Sequence, residues 1–164
     1  MSRSEGGLER TAKPSVLDRL IDRSPTESAD APISRERSIA QYRASVSRDV
    51  EWLLNARRST LSIPAGLEEV PRSVLAYGLP DLTSIGTDTP EARSGLVRQI
   101  ERAIRLFEPR LSQVRVLATE TPDGRKQIRL IIDGMLEMDP EPERVVFDTI
   151  VELARGDFSV DEGS

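Results

Sequence analysis

The spacing of apolar residues along the chain changes from a helical period to an alternating one near residue 109. Between residues 35 and 57, apolar side chains recur every three or four positions, which predicts a long helix with one face on a core. A second helix is predicted from Thr89 to Phe107, since Thr89 can cap it and Pro90 suits its first position. The apolar stripe of this second helix consists of Leu96, Ile100, Ala103, Ile104 and Phe107.

The C-terminal part of the chain has the alternating pattern of strands. Residues 113–119 and 127–138 each place apolar side chains on one face, and the turn sequence at 121–124 predicts that they form an antiparallel hairpin. Residues 145–153 fit a strand or a helix, but their β-branched side chains favour a strand, followed by a short one at 158–160. We therefore predict an α+β fold with N-terminal helices packed on a small antiparallel β-sheet of three to four strands. The apolar face of the first strand consists of Val114, Val116 and Ala118.

The loops and the N-terminus set the predicted domain organisation. Residues 58–88 are rich in proline and glycine and predict loops around one short helix at 72–76. Residues 1–34 are predicted to be a flexible tail with a short docking helix at 15–23, and residues 35–164 to be a single domain. This short helix cannot be stable alone, so it docks either on its own domain or on a partner. Its apolar side is formed by Val16, Leu17, Leu20 and Ile21.

Composition excludes most catalytic chemistry. The chain has no cysteine and no histidine, which excludes thiolate nucleophiles, Ser-His-Asp triads and the usual zinc sites. Lys13 and Lys126 are the only lysines, so carboxylates are the remaining catalytic groups. A glycosidase would need two carboxylates on opposite sides of one bond, and nothing marks such a pair among 28 acidic residues. We predict no catalytic residue, no metal ligand and no cofactor.

Charge and hydropathy restrict the partners and the location. A net charge of −5 and a pI near 5.0 disfavour binding to a phosphate backbone, so no nucleic acid is expected as a partner. The sequence contains neither an apolar run long enough to cross a membrane nor a signal-peptide core. We expect a cytoplasmic protein without direct membrane insertion.

The sequence Glu108-Pro109-Arg110 lies where the second helix ends and the first strand begins. Pro109 ends the helix because it lacks an amide hydrogen and clashes with the preceding turn. Its two charged neighbours are thereby held at a rigid junction, which we call the corner. From the residues alone, these charges are either solvated side chains or a recognition site in which Arg110 forms a bidentate ion pair with a partner carboxylate.

Four segments together resemble the TssE family of type VI secretion baseplate subunits, which belongs to the phage baseplate wedge family. They are Ser15 to Leu20, the helix at 38–57, Ser73 to Asp81, and Glu108-Pro109-Arg110. This resemblance implies a structural subunit that binds the wedge subunits TssF, TssG and TssK. It also implies a platform on which the TssB and TssC sheath begins to form.

The resemblance further implies which residues bind partners. The partner-binding residues would be Glu108, Pro109, Arg110, Val16, Leu17, Asp18, Arg19 and Leu20. On this reading, Arg110→Ala or Glu108→Ala would leave the fold intact and abolish sheath assembly. Two alternatives remain: a muramidase, suggested by the family's older lysozyme-like label, and a free-standing adaptor that binds a regulatory protein through the same scaffold.

Overall fold

The computed structural model describes residues 15–21, 34–59, 66–80, 89–120, 127–152 and 156–163. Three α-helices lie in these ranges: α1 (Val16–Leu20), α2 (Arg35–Asn55) and α3 (Pro90–Phe107). The short helix predicted at 72–76 is two 3-10 turns, Val70–Arg72 and Val74–Ala76. The predicted tail at 1–14, residues 22–33 of the docking segment and linker, Asp81 and the turn at 121–124 lie outside the described residues.

Hydroxyl side chains cap the start of each α-helix. Ser15, Ser34 and Thr89 each accept a hydrogen bond from the backbone amide three residues further on. The end of α3 is set by Pro109, and the amide of Glu108 makes the last helical hydrogen bond, to the Ile104 carbonyl at 2.8 Å. The helix boundaries thus follow from local sequence chemistry. None of the helices in the described ranges is long and apolar enough to span a membrane.

Four antiparallel strands follow the helices in the order β1-β2-β3-β4. This confirms the predicted α+β fold and places a strand at residues 145–152, where the sequence also allowed a helix. Burial alternates along β3, because every second side chain faces the core. The strands are β1 (Leu111–Glu120), β2 (Gln127–Leu136), β3 (Glu143–Glu152) and β4 (Asp157–Glu162).

Helices α2 and α3 cover one face of the sheet, with α2 against β4 and α3 against β1. Val114 and Val116 are buried under them as predicted, but Ala118 is exposed, because burial of this face of β1 ends at Val116. Phe107 is half-buried at the edge of the core rather than at its centre, since it is the last residue of α3. The largest side chains at the centre of the core are Leu53, Leu54, Leu96, Ile100, Ile104, Leu130, Ile132, Leu136 and Phe147.

A short parallel bridge ties the loop at 66–80 to the end of α2. The Leu79 amide donates to the Ala56 carbonyl at 2.9 Å, and the Arg58 amide donates to the Leu79 carbonyl at 2.8 Å. Gly78 has a φ of +95°, and a Cβ atom there would lie 2.2 Å from the Ala56 oxygen. Only glycine fits this close approach of two backbones. The bridge brings Tyr77 to the corner.

Candidate partner-binding site

The corner is folded onto itself by a buried ion pair. Glu108 retains 4% of its accessible surface, and Arg110 turns back over it. The Arg110 Nε donates to Glu108 Oε1 at 2.7 Å and Nη2 donates to Oε2 at 2.5 Å, a bidentate pairing of guanidinium and carboxylate. The backbone amide of Arg110 adds a third bond to Oε1 at 3.2 Å. The expectation of a solvated charge is therefore wrong for Glu108. The guanidinium of Arg110 binds a carboxylate of its own chain.

Helix α2 supplies a second carboxylate to the corner. Arg110 Nη2 donates to Asp49 Oδ2 at 2.6 Å, and Nη1 lies 3.4 Å from the hydroxyl of Ser45. The guanidinium carbon is also 5.8 Å from the ring centroid of Tyr42, within the range of a cation–π contact. Sequence reasoning missed Asp49 and Ser45. Their one signal is a spacing of four residues beside the apolar stripe of α2, which places both on the helix face next to the core.

A run of ion pairs connects the corner to α1. Arg48 donates to Asp49 Oδ1 at 3.0 Å from Nε and 2.8 Å from Nη2, and its Nη1 donates to Asp18 Oδ1 at 2.7 Å. Charges therefore alternate in the order Glu108, Arg110, Asp49, Arg48, Asp18, which we call the charge chain. It brings together three of the predicted partner-binding residues from two distant parts of the sequence.

Opposite charges stabilise the ionised forms within the charge chain. Burial by itself lowers the pKa of Arg110, but the hydrogen bonds and charge of Glu108, followed by those of Asp49, outweigh it and raise the pKa above its ordinary value. At the other end, burial by itself raises the pKa of Asp18. Hydrogen bonds from Arg48 and from the N-cap serine outweigh burial there and hold that pKa below its ordinary value. Arg110 and Asp18 are therefore both charged at neutral pH.

The remaining predicted residues of α1 are exposed to solvent. Val16 and Leu20 keep 73% and 77% of their accessible surface, Arg19 is exposed, and no residue of α1 is buried. The helix is held to its own domain by the ion pair of Asp18 with Arg48, and its apolar side is not buried in the core. Its apolar side chains are available for contact.

An open cleft of about 360 Å³ lies between α1, α2 and the corner. The Phe107 ring contacts Tyr77 edge-on, with centroids 5.3 Å apart, and Arg48 lies 4.9 Å over the half-exposed ring of Trp52. Pro109 is exposed at the rim. The cleft thus combines aromatic surface with the charge chain. It is lined by Leu17, Asp49, Trp52, Leu53, Tyr77, Phe107, Glu108, Pro109 and Arg110.

The start of β1 holds the corner in place. Its register with β2 shifts between Ser112 and Arg115, and Gln113 adopts a positive φ of 52°, the geometry of a β-bulge. The Arg110 carbonyl accepts a hydrogen bond from the Glu137 amide at 2.8 Å, which joins the corner to the end of β2. Neither the bulge nor this bond had a signal in the sequence.

This arrangement suits recognition by shape. The guanidinium of Arg110 occupies both oxygens of Glu108, and each charge in the chain has an opposite neighbour. A partner would therefore meet a rigid surface whose polar groups are satisfied internally, with apolar side chains exposed around it. Among the described residues, no cluster of three or more acidic side chains is arranged to hold a metal ion.

Fold and site together define a small α+β protein whose helices cover one face of a four-stranded antiparallel sheet and whose corner is ordered by ion pairs. The family described as baseplate wedge protein gp25 matches residues 40–141, and the chain belongs to this family, which contains TssE. The match includes most of α2, all of α3, the corner, β1 and β2, but not α1, β3 or β4. Membership supports a structural role in a baseplate. A comparison with curated proteins found no match.

Proposed function

We propose that this protein is a non-enzymatic subunit of a type VI secretion baseplate, acting in the cytoplasm, that binds the wedge subunits TssF, TssG and TssK. We further propose that it starts assembly of the TssB and TssC sheath. The observation that carries this proposal is the family match over residues 40–141, which contains the whole corner. The pairing of Glu108 with Arg110 argues against this residue as the acid or nucleophile of a muramidase, because both oxygens of its carboxylate are held by the guanidinium.

In this proposal the corner acts by shaping the cleft. Glu108 and Arg110 hold the end of α3 against α2, and Pro109 stands at the rim. Partner affinity then comes from burial of exposed apolar side chains such as Trp52, which retains 51% of its accessible surface. Because the corner is already ordered, a partner loses little entropy in fixing it.

Helix α1 provides the second proposed contact. Asp18 fixes the helix to Arg48, while Val16 and Leu20 point into solvent. Exposed apolar side chains on a short helix are a common means of docking into a groove of another protein. We assign Val16, Leu17, Asp18, Arg19 and Leu20 to this contact, with Asp18 in a positioning role.

The test is co-purification of the full chain with TssF, TssG and TssK. We expect Val16→Ser/Leu20→Ser to reduce capture at least tenfold with no change in melting temperature, because both side chains are exposed. Val74→Ser is the matched control, since Val74 is 84% exposed and lies elsewhere, and it should bind as the parent does. Failure of the parent to capture any wedge subunit would overturn the proposal. Capture of an unrelated regulatory protein in their place would favour the adaptor.

A further inference from the structure

Asp49 lies at the centre of the charge chain and is its only carboxylate that binds two arginines. Its Oδ2 accepts from Arg110 Nη2 at 2.6 Å, and its Oδ1 accepts from Arg48 at 3.0 Å from Nε and 2.8 Å from Nη2. Each oxygen is therefore bound to a different arginine. One side chain of α2 thus holds both the arginine of the corner and the arginine that receives α1.

Each of these arginines is shared with one further carboxylate. Arg110 also binds Glu108, and Arg48 also binds Asp18. The position of each guanidinium therefore depends on Asp49 as well as on its second partner. The side chains of Asp49 and Arg48 are each 23% exposed and that of Arg110 is 20% exposed. Solvent and salt therefore weaken these ion pairs less than they weaken pairs at a fully exposed surface.

Helix α1 depends on the shared Arg48 for its position. No apolar side chain of α1 is buried, whereas the side chain of Asp18 retains only 10% of its accessible surface and binds Arg48. A helix of 5 residues is too short to be stable alone. A displacement of the Arg48 guanidinium should therefore move or release the whole helix.

We propose that Asp49 is a positioning residue that couples the docking of α1 to the ion pair of the corner. While Arg110 occupies one oxygen of Asp49, this carboxylate competes less strongly with Asp18 for Arg48. Loss of Arg110 would therefore weaken the docking of α1, and release of α1 would weaken the hold of Asp49 on Arg110 to the same degree, because coupling between two sites is reciprocal. The two partner contacts then form one cooperative surface, and this last step rests on the proposed function.

The groups around Asp18 give the direction of the coupling. Burial by itself raises the pKa of Asp18, whereas hydrogen bonds from Arg48 and Ser15 and the positive charge of Arg110 lower it. Removal of Arg110 takes away one of these stabilising groups and leaves Asp49 free to draw Arg48 towards itself. Both effects weaken the docking of α1. The helix should therefore be released at a higher pH when Arg110 is absent.

Acid titration of the full chain, followed by the fluorescence of Trp52, measures this coupling. The ring of Trp52 lies 4.9 Å from the Arg48 guanidinium and lines the cleft together with Leu17 of α1, so its emission should change when α1 leaves. In Glu108→Leu/Arg110→Met, we expect the pH at the midpoint of release to rise by about 0.5, which is a roughly threefold loss of docking. An unchanged midpoint would overturn the coupling.

A second variant, Arg110→Lys, tests the coupling with the positive charge of the corner retained. The ammonium group stays beside Glu108 but lacks the planar fork that binds Glu108 and Asp49 at once. The midpoint should rise here too, by a smaller amount. The matched control is Arg129→Met/Asp148→Leu, which removes one ion pair from the sheet face opposite the helices and should leave the midpoint unchanged. An equal rise in this control would mean that the midpoint does not report the charge chain, and the coupling would be rejected.

The isosteric variant Asp49→Asn shows whether the coupling passes through this carboxylate. In the Asp49→Asn background, Glu108→Leu/Arg110→Met should shift the midpoint at most about half as far as it does in the parent. The reason is that the corner and α1 no longer share a charged partner. An equal shift in both backgrounds would assign the coupling to the direct field of Arg110 and overturn the role of Asp49.

Capture of purified TssF, TssG and TssK by the full chain tests the cooperative surface. Asp18→Asn should reduce capture several-fold in the parent and much less in the Asp49→Asn background, where α1 has already lost its position. Equal losses in both backgrounds would overturn the cooperative surface. If the parent captures no wedge subunit while the titration shows the expected shift, the proposed function fails and the coupling within the chain stands.

Discussion

Substitution of Arg110 by alanine is expected to destabilise the fold itself. Arg110 is the partner of Glu108, whose side chain retains 5% of its accessible surface, and it also binds Asp49 from α2. Arg110→Ala removes both side-chain bonds to the Glu108 carboxylate and leaves the backbone amide at 3.2 Å. The carboxylate then has no cationic side chain bound to it. The sequence analysis expected this variant to leave the fold intact, and the ion pairs of Arg110 add the expectation of a lower stability.

The size of the effect follows from the burial of the two partners. Breaking a buried ion pair by removal of one partner costs about 3 to 5 kcal/mol, because the other charge is left uncompensated. Arg110 itself is 20% exposed, and Asp49 keeps its bond to Arg48, so the lower end of the range applies. We expect a loss of about 3 kcal/mol in the free energy of unfolding. For a chain of this length, that corresponds to roughly 6 to 12 °C in melting temperature.

Urea denaturation followed by circular dichroism measures this loss. The midpoint should fall in Arg110→Ala while the slope of free energy against urea stays constant, since the surface exposed on unfolding is nearly the same. The double variant Glu108→Leu/Arg110→Met is the control, because it removes both charges and should lie within about 1 kcal/mol of the parent. If Arg110→Ala alone unfolds within about 0.5 kcal/mol of the parent, Glu108 is not an uncompensated buried charge and the reasoning is refuted.

Three further predictions test the cleft and its supports. Phe107→Ala should lower the free energy of unfolding by about 2 kcal/mol in thermal melting, less than the loss expected for a fully buried ring. A loss above about 4 kcal/mol would mean that the ring lies in the core. Gly78→Ala should cost about 3 kcal/mol, because the added Cβ meets a backbone oxygen. Gly95→Ala on α3 is the control, because its added Cβ has no atom within 4 Å, and it should be neutral or stabilising in the same assay. An equal loss of stability in the Gly78 and Gly95 variants would contradict this account. When α1 is docked, the pKa of Asp18 lies below its ordinary value. The docking of α1 should therefore be complete above about pH 4 and be lost as the pH falls through the lowered pKa. Fluorescence of Trp52, the only tryptophan, reports this step, and Asp18→Asn should abolish it.

The periodic elements could be predicted because burial repeats at a fixed spacing. The stripe of α3 is buried at Leu96, Ile100 and Ile104, and the alternation of β3 buries Phe147 and Val151. Phe107 fits the same stripe and is only half-buried, because a helix end reaches the rim of its domain. Periodicity locates a face, whereas the extent of the covering elements decides where burial stops.

The site was predictable only in part. Pro109 marked the corner, since the chemistry of proline is local. The second carboxylate that binds Arg110 belongs to Asp49, which is distant in sequence. Any of the 28 acidic residues could have filled that place before the packing of α2 was known. Glu101 and Arg105 have the spacing of an ordinary helical ion pair, and only the docking of α3 on β1 shows that they also bind the Val116 amide and the Val114 carbonyl.

The internal pairing of the corner changes how its role in recognition has to be tested. A corner that is held together by Glu108 and Arg110 is a preorganised surface, and a substitution there alters stability and shape together. Loss of sheath assembly in Arg110→Ala would therefore not assign a contact to that side chain. The charge-free double variant separates the two roles. If this variant folds and still binds the wedge subunits, the corner acts through its shape. If it folds but does not bind them, a partner recognises the charges of Glu108 and Arg110 themselves.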